Sequence, residues 1–171
     1  MTIKTSLRIG AMTYIMGQLV MMNGIILLLP MIVSIIYGEH DWISFFIAIL
    51  ASVAIGGILM FTTRHKRESI RAREGFIITS FIWIFYGMIG IIPMMTCENP
   101  LNLTDAVFEI ISGFTTTGAS VIRDVEKMSH GILFWRAFTQ WIGGLGIILL
   151  LLAVMPELNK SAGISMFNAE A

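Results

Sequence analysis

Charged residues are scarce in this sequence of 171 residues: they make up 13% of the chain, whereas hydrophobic residues make up 56%. Ordinary soluble domains carry roughly twice that share of charge, so the composition excludes this class. The formal net charge is zero, so no overall positive field favours nucleic acid as a partner. We therefore expect a membrane protein whose surroundings are the lipid bilayer.

Cysteine is nearly absent as well. The single Cys97 excludes an internal disulfide and leaves no second cysteine for a CxxC metal or redox motif. The sequence also lacks a histidine paired with a carboxylate inside an apolar run, a nucleophile elbow and a cluster of metal-ligating residues. We therefore expect no enzymatic activity and no covalent cofactor.

Four apolar stretches each have the roughly 20 residues that a helix needs to cross a bilayer. The first is too long for the core of a signal peptide and lacks a small-residue cleavage site, so we expect it to remain in the mature protein. The sequence thus predicts a single all-α membrane domain over residues 1–171. The four stretches are residues 9–37, 42–62, 76–95 and 133–155.

Basic residues are distributed unevenly between the connecting loops. The loop 64–74 contains five Lys or Arg residues, whereas the loop 38–41 contains none. Because basic loops stay in the cytoplasm, the loop 64–74 is expected there. Lys4 and Lys160 then place both termini in the cytoplasm, so the pattern predicts a multi-pass protein with an even number of crossings.

A shorter apolar segment lies between the third and fourth stretches. Thr104 is a candidate N-cap, Asp105 lies in the first turn, and Gly113 is a candidate C-terminal stop. A helix over residues 104–113 would be about 15 Å long, half of a bilayer. We therefore predict two leading helices followed by a unit consisting of an outer helix, a re-entrant pore helix and an inner helix.

Small residues follow this half-helix at positions 115–120, which we call the filter segment. Non-helical backbone at membrane depth is tolerated where it lines a water-filled cavity or is buried in protein. Gly118 can adopt backbone angles that turn successive carbonyls towards one axis. Backbone oxygens replace the hydration shell of a cation in carbonyl filters, and oxygen ligands suit a hard monovalent ion. The filter segment reads Thr115, Thr116, Thr117, Gly118, Ala119 and Ser120.

Several charged residues lie near the expected mouth of this pore. Asp105, Glu109 and Asp124 could enrich cations there, or could serve as a helix cap, a packing partner or a solvated charge. Arg136 needs a carboxylate or carbonyl partner at the edge of a membrane. We expect a structural ion pair with one of those three carboxylates rather than a direct role in gating.

The last apolar stretch contains three closely spaced glycines, Gly143, Gly144 and Gly146. Small residues let membrane helices approach closely, so packing is the main interpretation and a gating hinge is the alternative. Trp135 and Trp141 are candidate anchors at the membrane boundary, and Trp135 is expected at the outer one.

Three strings in the same order carry a family resemblance. Together they resemble the first pore loop and following helix of the Trk, Ktr and HKT potassium transporter superfamily, the bacterial Trk branch most closely. The segment 165–171 also resembles the cytoplasmic segment that follows this helix in the family, so the resemblance covers essentially the whole chain. The strings are Ser112-Gly113-Phe114-Thr115-Thr116-Thr117-Gly118-Ala119-Ser120, Phe134-Trp135-Arg136 and Gln140-Trp141-Ile142-Gly143-Gly144-Leu145-Gly146.

The resemblance implies potassium transport, sometimes with sodium, across a bacterial plasma membrane. It implies that Thr116, Thr117, Gly118 and Ala119 donate carbonyls to the ion, with Thr115 as a further candidate. It also implies a cytoplasmic nucleotide-binding regulatory subunit as a partner.

Family members have four consecutive pore-loop units, whereas this chain has one. Either the chain is a truncated or partial subunit whose further units follow in a longer chain, which we expect, or four copies assemble as a homo-oligomer. A different interpretation is a non-conducting membrane protein that binds full-length partners.

Overall fold

The computed structural model describes residues 8–63 and 72–148. The expectations based on Lys4, Lys160, residues 64–71 and the segment 165–171 lie outside the described residues. Over the two described ranges the chain is helical and contains no strand, so the predicted all-α class is confirmed. The helices are α1 (Ile9–Ile26), α2 (Leu28–Ile36), α3 (Trp42–Thr63), α4 (Ala72–Thr96), α5 (Leu103–Phe114) and α6, which begins at residue 130 and is described as far as residue 148.

Three helical stretches are long and apolar enough to cross a membrane: Ile9–Ile36, Trp42–Thr63 and Glu74–Thr96. They correspond to the first three apolar stretches of the sequence. The fourth expected stretch extends to residue 155, and its last part lies outside the described residues. The chain is therefore a membrane protein with an apolar helical frame around the shorter helix α5.

The first membrane stretch is broken into two helices at Leu27, whereas the sequence predicted one helix over residues 9–37. Pro30 explains the break, because it has no N–H to donate to Ile26 and its ring crowds the carbonyl of that residue. The interruption is small, since Leu27 keeps right-handed helical angles and its N–H still donates to the Asn23 carbonyl at 3.0 Å. The proline thus kinks the stretch without ending it.

Two other helices begin earlier than hydropathy predicts. Helix α4 begins at Ala72 and not at residue 76, and α6 begins at residue 130 and not at residue 133. Their first residues include charged or polar side chains, which a helix accommodates readily but which a search for apolar runs leaves out. Hydropathy therefore finds the apolar part of each helix and misses its polar end.

The buried core lies where α1, α3, α4, α5 and α6 meet. Trp135 is completely buried in it and donates its indole N–H to the Gly90 carbonyl at 3.1 Å. The expectation that Trp135 is an outer interfacial anchor is therefore wrong, because its indole is satisfied inside the bundle rather than at the membrane boundary. Other fully buried members of this core are Val20, Leu27, Phe45, Ala48, Met94, Ile110 and Ile132.

Glu39 ties the loop between α2 and α3 to the start of α6. Its carboxylate accepts hydrogen bonds from the N–H of His130 at 2.7 Å and from the N–H of Gly131 at 3.1 Å. The His130 ring lies 2.8 Å from the same carboxylate and stacks on Tyr37 with 3.9 Å between ring centroids. A carboxylate is stabilised at a helix N-terminus, so Glu39 fastens the leading helices to the helix that follows the filter segment.

The contribution of Glu39 to stability should depend on pH, and replacing Glu39 tests this dependence. Burial raises the pKa of Glu39, but the hydrogen bonds from His130 and Gly131 outweigh burial and leave the pKa below its ordinary value near 4.5. The stabilisation is therefore present above that value and is lost as the pH falls through the lower folded-state pKa. We expect Glu39→Gln to lower the free energy of unfolding by about 1 kcal/mol near neutral pH.

Melting temperatures in detergent, measured from neutral to acidic pH, check this expectation. The difference between the wild type and Glu39→Gln should shrink as the pH falls below the ordinary carboxyl pKa near 4.5. Glu126→Gln serves as a control, since Glu126 is exposed. A Glu39→Gln difference that stays constant with pH would contradict the proposed role of the charge.

Candidate ion filter

Helix α5 begins with a side-chain cap from Asn102. The Asn102 Oδ1 accepts a hydrogen bond from the Asp105 N–H at 2.9 Å, and its Nδ2 donates to Asp105 Oδ2 at 2.8 Å. The prediction that Thr104 is the N-cap is wrong, because the helix begins at Leu103 and Asn102 occupies the cap position. The 12 residues of α5 span about 18 Å, well short of the roughly 30 Å of a hydrocarbon core.

The end of α5 is a tight backbone turn at Thr116. The Thr116 N–H donates to the Gly113 carbonyl at 2.9 Å, and the Thr117 N–H donates to the Ser112 carbonyl at 3.0 Å. These two bonds form the Schellman pattern that closes many helices with one left-handed residue. Thr116 is that residue, with φ at 58°, although glycine usually occupies this position. A β-branched residue in this conformation is strained, by about 1–3 kcal/mol.

The sequence predicted that Gly113 ends the helix, and this prediction is wrong. Gly113 is the last residue but one of α5 and is buried, and a Cβ at this position would come within 2.3 Å of Thr139 Oγ1 on α6. The glycine is therefore needed for close approach between α5 and α6. The helix continues to Phe114 because the left-handed position falls at Thr116 instead.

Gly118 is the second left-handed residue of the filter segment, with φ at 74°. A Cβ there would lie 2.8 Å from the Gln140 Nε2 of α6. Alternation of left-handed residues at 116 and 118 turns the backbone sharply twice within three residues. Gly118 therefore meets both requirements of its position, a positive φ and a close neighbour.

The carbonyls in the middle of the filter segment are free. Within the described residues, no group donates a hydrogen bond to the carbonyls of Thr116, Thr117 or Gly118. The Thr115 carbonyl accepts from Thr116 Oγ1 at 2.7 Å, and the Ala119 carbonyl accepts from Ser112 Oγ at 2.6 Å. All six residues of the filter segment are exposed, so the three free oxygens are open to a ligand or to solvent.

The chain that follows α5 runs back alongside α5. Ser112 in the last turns of α5 bonds to Ala119, and Glu109, one turn earlier, bonds to Ser120 Oγ at 2.7 Å. The Asn99 side chain before α5 donates to the Lys127 carbonyl at 2.9 Å. The segment therefore enters and leaves at the same end, as a re-entrant loop does.

Glu109 and Arg136 form an ion pair behind the filter segment. The Arg136 Nε donates to Glu109 Oε2, and the Glu109 side chain is completely buried. The other carboxylate oxygen accepts from Ser120 Oγ and from the Val121 N–H, both at 2.7 Å. Of the three carboxylates that the sequence offered to Arg136, the structure thus pairs it with Glu109.

Asp105 and Asp124 take other partners. Asp105 belongs to the start of α5, where it bonds with Asn102. Asp124 forms an ion pair of 2.6 Å with Lys127, whose side chain is largely solvated, while that of Asp124 is about half exposed. Both therefore have local roles in a cap and a surface pair, which were alternatives in the sequence interpretation.

The three glycines of α6 differ in what surrounds them. A Cβ at Gly143 would lie 2.2 Å from the carbonyl oxygen of Phe114, and one at Gly146 would lie 2.6 Å from the Trp83 ring. Gly144 is less constrained, since its nearest neighbour is Thr116 Cγ2 at 3.8 Å. Gly143 and Gly146 therefore fit close packing, with Gly143 in contact with the C-terminal end of the re-entrant helix.

Comparison with known proteins gives the family. The model of the TrkH family, described as cation transport protein, matches residues 43–170. The chain belongs to the TrkH family. This match covers the re-entrant loop and both helices that flank it.

Curated relatives extend the TrkH similarity to nearly the whole chain. The Trk system potassium uptake protein TrkH of Escherichia coli K12 is 37% identical over 161 residues, which are 94% of this chain and 33% of the relative. The protein of the same name from Halomonas elongata is 36% identical over 157 residues, 91% of this chain and 32% of the relative. The chain thus spans about a third of the length of the curated relatives that it matches.

A solved structure shows the same fold. The crystal structure of the potassium transporter TrkH from Vibrio parahaemolyticus superposes with a TM-score of 0.80 at 32% identity. The superposition covers 88% of this chain and 32% of the TrkH chain. The described helices therefore adopt the arrangement of one part of a TrkH transporter.

The sequence did not predict the roles of two residues in this TrkH loop. Ser112 binds the Ala119 carbonyl, and Asn102 caps α5. Ser112 could have been found, because it lies three residues after Glu109 and thus on the same face of the helix. Asn102 and Thr104 are both good cap residues, so sequence alone could not choose between them.

Proposed function

We propose that this chain forms one pore-loop unit of a potassium transporter in a bacterial plasma membrane. The observation that supports the proposal most directly is the set of three free carbonyls at Thr116, Thr117 and Gly118, held on a half-helix that returns to the side it came from. Such oxygens can replace water around a dehydrated potassium ion. The names of the Trk relatives agree with this cargo.

The residues have distinct roles in the proposed unit. The carbonyls of Thr116, Thr117 and Gly118 bind the ion, and the Ala119 carbonyl keeps one lone pair beside its bond from Ser112. The Thr115 carbonyl likewise keeps one lone pair beside its bond from Thr116 Oγ1, so Thr115 remains a further candidate ligand. The C-terminal end of α5 carries about half a negative charge, which favours cations over anions. Transport needs no covalent chemistry.

One loop supplies only part of an ion's coordination, because a carbonyl filter surrounds the ion with several loops. We propose that further pore-loop units of a longer chain, or further copies of this chain, complete it. A cytoplasmic nucleotide-binding regulatory subunit is part of the same proposal. We also propose that both termini lie in the cytoplasm, as the five basic residues of the loop 64–74 indicate.

Potassium uptake by a transport-deficient bacterium tests the proposal. The chain is expressed alone and, in parallel, as the longest reading frame that contains it, and rubidium or potassium uptake is measured with and without competing sodium. We expect uptake only from a form in which several pore loops come together. Uptake by neither form would contradict the proposed function and favour a non-conducting binding protein.

Gly118→Ser is the sharpest variant for this assay. A side chain at φ 74° strains the backbone and meets Gln140, so we expect the carbonyls to shift and discrimination against sodium to weaken by about tenfold. Gly87→Ser serves as a control, since a Cβ at Gly87 has no neighbour within 4 Å. Equal discrimination with glycine or serine at position 118 would remove the filter assignment.

A further inference from the structure

One carboxylate joins α5, the end of the filter segment and α6. Glu109 lies on α5, its Oε2 accepts from Arg136 of α6, and its Oε1 accepts from the Ser120 hydroxyl and the Val121 N–H. Ser120 and Val121 directly follow the proposed ion-binding carbonyls. Whatever moves Glu109 therefore moves the end of the filter segment.

Burial of the Glu109 carboxylate costs free energy unless both of its oxygens have hydrogen-bond partners. A buried carboxylate is destabilising when its oxygens lack partners, and an apolar contact would hold two helices together at least as well as a buried ion pair. In Glu109 both oxygens have partners, and the side chain is completely buried. The arrangement thus provides fixed hydrogen-bond directions towards the Ser120 hydroxyl and the Val121 N–H at the end of the filter segment, which an apolar side chain could not provide.

Two residues one turn apart on one face of α5 hold three successive residues of the returning segment. Ser112 Oγ donates to the Ala119 carbonyl at 2.6 Å, and Glu109 accepts from Ser120 and Val121. At the other end, the bonds of the Thr116 turn fix where the segment leaves the helix. The three free carbonyls therefore lie between two fixed points, and their spacing depends on both.

We propose that Glu109, held in place by Arg136, is a positioning residue that sets the discrimination between potassium and sodium. This inference rests on the proposed function and specifies which residues control its selectivity. Because potassium and sodium carry the same charge, a charge at the mouth attracts both ions equally. A change in their ratio therefore reports the spacing of the carbonyls rather than electrostatic attraction.

The test uses the longest reading frame and measures the ratio of rubidium uptake without sodium to uptake with sodium. In Glu109→Gln the amide can still accept from Ser120 and Val121, but its NH₂ group faces the Arg136 donor and cannot accept from it. In Arg136→Gln the buried carboxylate loses its cation. We expect each variant to lower discrimination by about tenfold, and Arg136→Lys to recover most of it.

Two further variants keep the test decisive if these proteins insert poorly. Ser120→Ala removes one hydrogen bond to Glu109 at an exposed position, so it should fold and lower discrimination by about threefold. Arg123→Gln is the control for Arg136→Gln, since Arg123 is an exposed cation in the connection between the filter segment and α6. It should leave the ratio unchanged even if the uptake rate changes.

The outcomes separate this inference from the proposed function. If the unaltered frame transports potassium selectively while the Glu109, Arg136 and Ser120 variants keep its ratio, the ion pair is only structural and the inference is wrong. If the unaltered frame does not transport potassium, the proposed function itself fails. A lowered ratio in Glu109→Gln and Ser120→Ala, recovery in Arg136→Lys and no change in Arg123→Gln would establish the positioning role.

Discussion

Gly143→Ala is expected to displace the re-entrant loop and to lower the free energy of unfolding by about 3 kcal/mol. The added Cβ would lie 2.2 Å from the carbonyl oxygen of Phe114, 2.8 Å from its carbonyl carbon and 3.0 Å from its Cα. All three are backbone atoms of the last residue of α5, so no side chain can rotate to make room. The end of α5 must move, and the turn at Thr116 moves with it.

Gly144→Ala is the matched control for this prediction. It makes the same glycine-to-alanine change in the same helix, so it brings the same gain in helix propensity, up to about 1 kcal/mol. Its nearest neighbour would be Thr116 Cγ2 at 3.8 Å, an ordinary contact. Gly143→Ala should lower the unfolding temperature in detergent and change the sodium sensitivity of uptake, whereas Gly144→Ala should unfold at or slightly above the wild-type temperature and keep the wild-type sodium sensitivity. Similar behaviour of the two variants would show that the close contact with Phe114 does not matter.

The general plan of the re-entrant loop could be predicted because its signals are local. An apolar run too short to cross a bilayer, followed by small residues and Gly118, indicates a half-helix and a turn. The structure has α5 over Leu103–Phe114 and a left-handed Gly118. Each of these features depends on residues close together in the sequence.

The contacts that hold the loop in place could not be predicted in the same way. Glu109 and Arg136 are 27 positions apart, and three carboxylates were available to Arg136. Only the crossing of α5 and α6 selects one of them. The prediction for Trp135 fails for a similar reason. Tryptophan near a membrane boundary is typical of an interfacial anchor, and only the helix packing shows that the Trp135 indole donates to the Gly90 carbonyl.

Helix termini show a second limit. At the start of α5, Asn102 and Thr104 are both suitable caps, and their separation by one residue leaves the choice to the structure. At its end, Gly113 has the sequence pattern of a stop, but the left-handed residue is Thr116. A glycine at position 113 is needed for close packing against Thr139, and a glycine is also typical of a helix stop. The presence of glycine alone therefore does not show which of the two roles it has.

Gly56→Ala is expected to separate the leading helices α1 and α3 and to destabilise the protein by about 3 kcal/mol. Its Cβ would lie 2.7 Å from the Gly17 carbonyl oxygen and 2.9 Å from the Met21 nitrogen, both backbone atoms of α1. Apolar surface gains little by leaving lipid, so close packing is a main source of attraction between these helices. Their separation would also stretch the bond of 2.6 Å from Ser52 Oγ to the Val20 carbonyl.

Gly57→Ala is the control for this change, because a Cβ at Gly57 would meet nothing within 4 Å. Gly56→Ala should lower the melting temperature and the amount of inserted protein, while Gly57→Ala should match the wild type. Since Gly56 contacts α1 and not the filter segment, the protein that does insert should keep the wild-type ratio of potassium to sodium uptake, unlike Gly143→Ala. A changed ratio in Gly56→Ala would mean that the leading helices help to shape the filter segment, and the bonds from Glu39 to the start of α6 offer one route for this effect.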